Sequence, residues 1–314
     1  MTLVENCAML PSHHIAQKRA TLFRESTFDF VKRWTLGTLW MLHPKRIGIL
    51  PGLWTAVLQD FLAQDRELPD PRIVRSNPPG LAGIVHDLSL DTLVAAYRRG
   101  LYPFGHIGPP KWWSPEQRWV LPTRELRVTR RSQLRSASFR ISFDSDFEGV
   151  IAGCAGHRAG RCRLTWITPR LMRAYAAAFD EGHAHSVEVR NDAGDLVGGL
   201  YGVAVGGAFV LESLFSNTPG ASRLGLLSLS WHLSRWGYAF VDAKVTPTWK
   251  EMGFREISRD QYLSELEAIR DMPDRPGRWQ VNADLKTIAE YRDDRRQIEP
   301  GVTRLPAPSL KGAA

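Results

Sequence analysis

Glu212 and Asp242 each interrupt an apolar, strand-like run, AFVLESLFS and AFVDAKV. A polar group left unsatisfied in a buried strand costs roughly 2–7 kcal/mol, and a charge costs more, so something must compensate. A structural ion pair is one answer. The others are a side chain reaching a sheet edge and catalytic chemistry. Two such acids in neighbouring strands favour chemistry. His183 and His185 could ligate a metal from one strand face, but no third ligand has suitable spacing, so packing or hydrogen bonding is expected of them and no metal. Cys154 and Cys162 have no local base and read as buried thiols.

The strands and helices that must position these acids are most legible after Gly182. SVEVR alternates Val187 and Val189 against Ser186, Glu188 and Arg190, NDAGD turns the chain into LVGGLYGVAV, and Gly206-Gly207 turns it back. The run 208–215 puts Val210, Glu212 and Leu214 on one face and Phe209, Leu211, Ser213 and Phe215 on the other, which predicts a central, covered strand. Leu226, Leu229, Leu233 and Trp236 predict an amphipathic helix ending at Gly237. A strand over 239–245, a short helix around TWKEMGF and the segment REISR follow. The expected class is α+β, a sheet covered by helices.

Upstream, Leu93, Ala96 and Tyr97 mark a helix running from Asp87 to Gly100, and a proline-rich loop carries Trp112 and Trp113, as structural plugs or as RNA contacts. The expected divisions are a helical extension (1–75), a small N-terminal domain with the tryptophan loop and a basic cluster (76–145), a catalytic domain (146–270) and a mostly irregular tail (271–314). The tail is too poor in apolar residues to order itself alone and receives no chemistry.

The chain has 314 residues, a net charge of +8 and a pI near 9.6, which favours a polyanionic partner such as nucleic acid or a membrane surface. Three cysteines (Cys7, Cys154 and Cys162) without CxxC spacing suit a reducing compartment. MTLVENCAML lacks the pattern of a secretion signal, so a cytoplasmic protein is expected. The apolar stretches 34–42 and 47–62 are too short to span a bilayer and read as packing helices. With Lys32, Arg33, Lys45 and Arg46 nearby, lying on an anionic membrane is the alternative.

Several ordered motifs carry a resemblance: AYRRGLYP (96–103), WWSP (112–115), TWI (165–167), GHAHSVE (182–188), VGGLYGV (197–203), ESLFS (212–216) and Asp242. Over residues 76–266 the chain resembles the leucyl/phenylalanyl-tRNA-protein transferases. The resemblance implies an acetyltransferase-like, largely antiparallel sheet. It implies transfer of Leu or Phe, with Met as a near-cognate, from charged tRNA to the α-amine of an acceptor protein N-terminus, within an N-degron pathway. No cofactor is implied. Glu212 and Asp242 would belong to the reaction centre, and Trp166 and Phe104 would flank the terminal adenosine. Leu200, Phe209 and Val241 would line the aminoacyl pocket. In the arginine-rich segment 124–140, the resemblance raises Arg127, Arg130, Arg131 and Arg135 as tRNA phosphate contacts.

The chain departs from the family at informative places. Lys244 stands where the family has Gln, on the strand face of Asp242, where an ammonium would pair with Asp242, repel a Lys or Arg N-terminus and donate to an oxyanion. Phe104 stands where tryptophan is usual, and Thr248 or Trp249 where histidine is common. Two alternatives remain open. One is an acyl-CoA-dependent N-acetyltransferase, for which NTPGASRLG is a poor pyrophosphate loop; the other is a tRNA-binding homologue that lost transfer through Lys244.

Overall fold

The computed structural model describes residues 12–63, 66–106, 108–156, 164–244 and 247–290. Cys7 and Cys162 lie outside the described residues, as do the side chains of Arg131 and Thr248. Within the extension lie α1 (Ser12–Leu22), α2 (Thr27–Met41) and α3 (Leu50–Ala63). Next come β1 (Leu81–Ile84), α4 (Leu90–Arg98), β2 (Tyr102–Phe104) and β3 (Lys111–Trp113), whose strands form a three-stranded sheet. Ser89 caps α4 by accepting from the Thr92 N–H, and Gly100, at φ 82, ends the turn after it.

The remaining elements are β4 (Gln117–Pro122), α5 (Arg130–Arg135), β5 (Arg140–Phe143), α6 (Phe147–Ala155), α7 (Pro169–Asp180), β6 (Ala184–Arg190), β7 (Leu196–Val205), β8 (Ala208–Ser216), α8 (Ala221–Arg235), β9 (Phe240–Ala243), β10 (Arg255–Ser258), α9 (Arg259–Glu267) and α10 (Leu285–Glu290). Their strands make one seven-stranded sheet in the order β10-β4-β9-β8-β7-β6-β5. β8 is its central strand, as its two-sided apolar sequence requires. The sheet is antiparallel except where β8 and β9 run parallel, joined by α8. It draws β4 and β5 from before residue 146, so the expected division at that point does not separate two sheets.

Each face of the sheet buries its own core. Val203, Val205, Ala208, Val210 and Phe240 pack with α4, α6, α7 and α9, whereas Leu200, Ala204, Phe209, Leu211 and Val241 pack with α8 and α10. The tail contributes more than its composition suggests. Trp279 is 3% exposed and stacks on His185 at 3.5 Å, while its backbone N–H donates to Asp144 at 2.7 Å.

The extension is attached by polar contacts and close approaches. Lys18 and Arg19 pair with Asp146 and Glu148 at 2.6 Å, and His86 with Asp60 at 2.9 Å. At Gly52 a Cβ would lie 1.9 Å from the Asn77 carbonyl oxygen, so only glycine lets α3 sit this close. The expectation of packing helices holds on the inner side only. Trp54, Val57, Leu58, Phe61 and Leu62 recur at helical spacing on the outer face of α3 and are exposed. Among the described residues no helix is long and apolar enough to cross a membrane.

Candidate active site

The sheet carries a β-bulge at the first acid. Tyr201 pairs with Ser213 and Gly202 with Leu211, so Glu212 is the extra residue of β8. Strict alternation therefore fails beyond this point: Val210 and Phe215 face one core and Leu211 and Leu214 the other. The expected grouping of Leu214 with Val210 and of Phe215 with Phe209 is corrected accordingly, because one added residue shifts the side-chain period by one. Val210 is paired with Asp242 across the parallel ladder, and β9 ends at Ala243 while β8 continues. The two strands lose contact at the carboxyl end of the parallel pair, where open sheets commonly bind ligands.

Glu212, Asp242 and Lys244 line one cavity there, of about 270 Å³, together with Tyr102, Arg118 and Leu211. The pairing of Asp242 differs from expectation. Its partner is the buried Arg118 of β4, whose Nε donates to Asp242 Oδ1 at 3.3 Å and whose Nη2 donates to Oδ2. Arg118 also donates to the Gly100 carbonyl at 3.0 Å and lies over the Tyr262 ring at 3.9 Å, so its orientation is fixed from three sides. Asp242 is thus held by a fork-shaped cation, and Lys244 points elsewhere.

Lys244 Nζ lies 3.5 Å from the ring centre of Tyr102, 4.7 Å from that of Phe104 and 5.3 Å from that of Trp166. The residue as a whole is exposed, but its charged end is enclosed by these rings. Burial of that end lowers its pKa to about 8, against the opposing pull of Glu212. Phe104 and Trp166 touch each other, with ring centres 5.2 Å apart at 42°. Trp113 donates to the Phe104 carbonyl at 3.0 Å, and Trp112 is a buried plug.

Glu212 is 7% exposed, and its Oε2 is buried without a hydrogen-bond partner. Burial raises its pKa; the charge of Lys244 and the hydroxyls of Tyr97 and Tyr175 oppose that rise. A second buried carboxylate has its hydrogen bonds satisfied. Glu188, which the alternation of SVEVR placed on a polar face, is fully buried and accepts from Ser142 and Ser145 hydroxyls at 2.7 Å and from Ser186 at 2.6 Å. Its charge is satisfied within the fold. Glu212 lines the cavity and keeps a buried oxygen without a hydrogen-bond partner.

Other residues lie apart from this cluster. Leu200, Phe209 and Val241 are each 0% exposed in the core on the opposite face of the sheet. Among the described residues, Trp119, Leu211 and Ala243 belong both to that core and to the cavity wall. Arg127 and Arg130 are exposed and Arg135, half-buried, donates to the Pro219 carbonyl beside α8; the helices next to this segment, α8 and α10, cover the face away from Glu212. Trp249 packs on Phe254 in the same core. His185 hydrogen-bonds Asp144 at 2.8 Å, and no metal-binding group of three or more His, Cys, Asp or Glu occurs among the described residues. Arg118 was not anticipated; an alternation with Trp119 and Val120 that places a charge inward is the signal that could have found it.

A buried acid, a caged lysine and a fixed ion pair at the open end of two parallel strands define a site for handling an amine or a polarised carbonyl. Residues 86–116 match the family model described as leucyl/phenylalanyl-tRNA protein transferase N-terminal domain, and 120–267 match that of leucyl/phenylalanyl-tRNA protein transferase. Curated relatives of that name are 44% identical in Alkalilimnicola ehrlichii, over 68% of this chain and 84% of the relative, and 44% identical in Thiobacillus denitrificans, over 65% and 90%. A third, in Nitrosospira multiformis, is 38% identical over 70% and 95%. The chain belongs to the leucyl/phenylalanyl-tRNA protein transferase family. Among solved structures, that of L-PGS from Bacillus licheniformis aligns at 9% identity with a TM-score of 0.29, over 55% of this chain and 62% of that one.

Proposed function

We propose that the protein transfers a leucyl or phenylalanyl group, with methionyl as a near-cognate, from the 3′ end of charged tRNA to the α-amine of an acceptor protein, marking it for degradation in the cytoplasm. The observation that carries this reading is the convergence of Glu212, Asp242 and Lys244 on one cavity beside Phe104 and Trp166. The sheet supplies an acyltransferase-like frame, a parallel pair that parts at the site.

An aminoacyl ester is already activated, so the enzyme has to align the amine, take its proton and stabilise the tetrahedral oxyanion. Ionised Glu212 accepts a proton from the attacking amine as the C–N bond forms. The ester C–O bond then breaks and the proton passes to the departing ribose oxygen. Lys244, as an ammonium, donates to the oxyanion. Asp242 is neutralised by Arg118 and sets the shape and charge of the wall. Tyr102, Phe104 and Trp166 present ring faces for the terminal adenosine. Leu211 and Ala243 separate the cavity from the apolar core of Leu200, Phe209 and Val241, and a leucyl or phenylalanyl side chain would enter there.

A second reading rests on Lys244 itself, whose ammonium stands against the rings the adenosine needs. A protein that binds charged tRNA without transferring from it would use the same groove. A transfer assay crossing several charged tRNAs with peptides of varied first residue separates the two. Transfer from Leu- or Phe-tRNA supports the first reading; tight, salt-sensitive tRNA binding with no transfer to any peptide supports the second.

A further inference from the structure

We infer that the cavity between α2 of the extension and the start of α7 is a nucleotide subsite for the unpaired tRNA residues that precede the terminal adenosine. This inference rests on the tRNA-dependent reading above. The cavity measures about 500 Å³, larger than the site cavity and within the roughly 300–1,000 Å³ typical of ligand pockets.

Its walls carry both halves of nucleotide recognition. Phe30 and Trp34 are large rings that remain 45% and 40% exposed at its mouth, as a stacking platform requires. Arg33, Arg170 and Arg173 supply positive charge. Glu25 also lines the cavity and is paired with Arg33 at 2.7 Å, which cancels those two charges. Arg170 and Arg173 instead donate to the backbone carbonyls of His86 and Phe23, at 2.8 and 2.7 Å. Neutral partners orient both guanidinium groups without neutralising them, so the cavity keeps two net positive charges, fit for phosphates.

Location points to the same ligand. Gly105, next to Phe104, and Thr168, two residues after Trp166, form part of the cavity wall. A ladder of rings also joins the extension to the site, with Trp40 on His106 at 5.0 Å and His106 on Phe104 at 5.1 Å. A strand of nucleic acid whose last base lies against Phe104 and Trp166 reaches this cavity with its preceding nucleotide. α5 of the arginine-rich segment instead packs beside α10, on the other face of the sheet.

The test measures binding of full-length protein to deacylated tRNA with an intact 3′ end and to the same tRNA trimmed of its unpaired 3′ nucleotides. For the variants Arg170→Gln/Arg173→Gln and Trp34→Ala, the expected result is roughly tenfold weaker binding of intact tRNA, with binding of the trimmed tRNA equal to wild type. For the double variant the log–log salt slope for intact tRNA becomes shallower by about 1.4, at about 0.7 per single-strand phosphate. Trp34 is exposed, so its variant guards against loss of folding in the other. Equal weakening for both RNAs, or no change for either, overturns the inference. Transfer from 3′-phenylalanyl-adenosine to a peptide tests the catalytic reading separately, since that donor lacks the preceding nucleotides.

Discussion

Arg118 holds Asp242 by two N–H donors in a buried ion pair, so that of the two carboxylates at the site only Glu212 keeps a buried oxygen with no hydrogen-bond partner. The two acids resemble each other in sequence and differ in role. One is paired with Arg118; the other, on the proposed reading, acts on the reacting amine.

The ion pair makes Arg118 a stability determinant. Removing one partner of a buried pair costs about 3–5 kcal/mol, because the other is left charged and alone. Arg118→Met is therefore expected to lower unfolding free energy by about that amount, and Arg118→Met/Asp242→Leu to recover much of it. Denaturant unfolding of wild type, both single variants and the double variant gives the coupling. Additive losses would show that the pair contributes nothing of its own.

Lys244 is expected to set an alkaline limit on transfer. Its pKa is lowered to about 8 by burial, so its ammonium is present below that pH and lost above it. If the ammonium donates to the oxyanion, the rate constant of single-turnover transfer falls as pH rises through about 8, and Lys244→Gln abolishes that fall. The same substitution removes a positive charge facing the acceptor. At about 4 Å two like charges repel by roughly 1 kcal/mol in water and 4 at an effective dielectric constant near 20, so transfer to Lys- or Arg-starting peptides should improve at least fivefold relative to transfer to peptides with an uncharged first residue.

The bulge that re-aims Glu212 depends on Gly202. A Cβ there would lie 2.3 Å from the Val210 carbonyl oxygen and 2.6 Å from the Phe209 ring, so Gly202→Ala forces β7 and β8 apart. The expected cost is roughly 1–3 kcal/mol, with a disproportionate loss of transfer as Glu212 turns away. Unchanged stability and activity would mean the bulge is not required.

The sequence made Glu212 and Asp242 visible because acids in apolar runs are anomalous, and it placed β8 at the centre because that run is apolar on both sides. Arg118 escaped notice because its partner lies 124 residues away and a charge between Gln117 and Trp119 reads as solvated. Burial of Glu188 was hidden for a similar reason: alternation shows that a strand has two faces, and only the covering α6 and the serines around β5 show that both are buried. The bulge has no period of its own, so the faces beyond residue 211 came out reversed. Tail residues looked too polar to order, yet Trp279 is locked by partners that composition cannot reveal, His185 and Asp144.

The most direct measurement is single-turnover transfer from Phe-tRNA to a peptide amine by wild type and Glu212→Gln. Gln keeps the shape and loses the proton acceptor, so the variant should fold as stably as wild type and bind tRNA equally, with the rate reduced by roughly 10²–10⁴-fold. Transfer by Glu212→Gln at the wild-type rate would contradict the account.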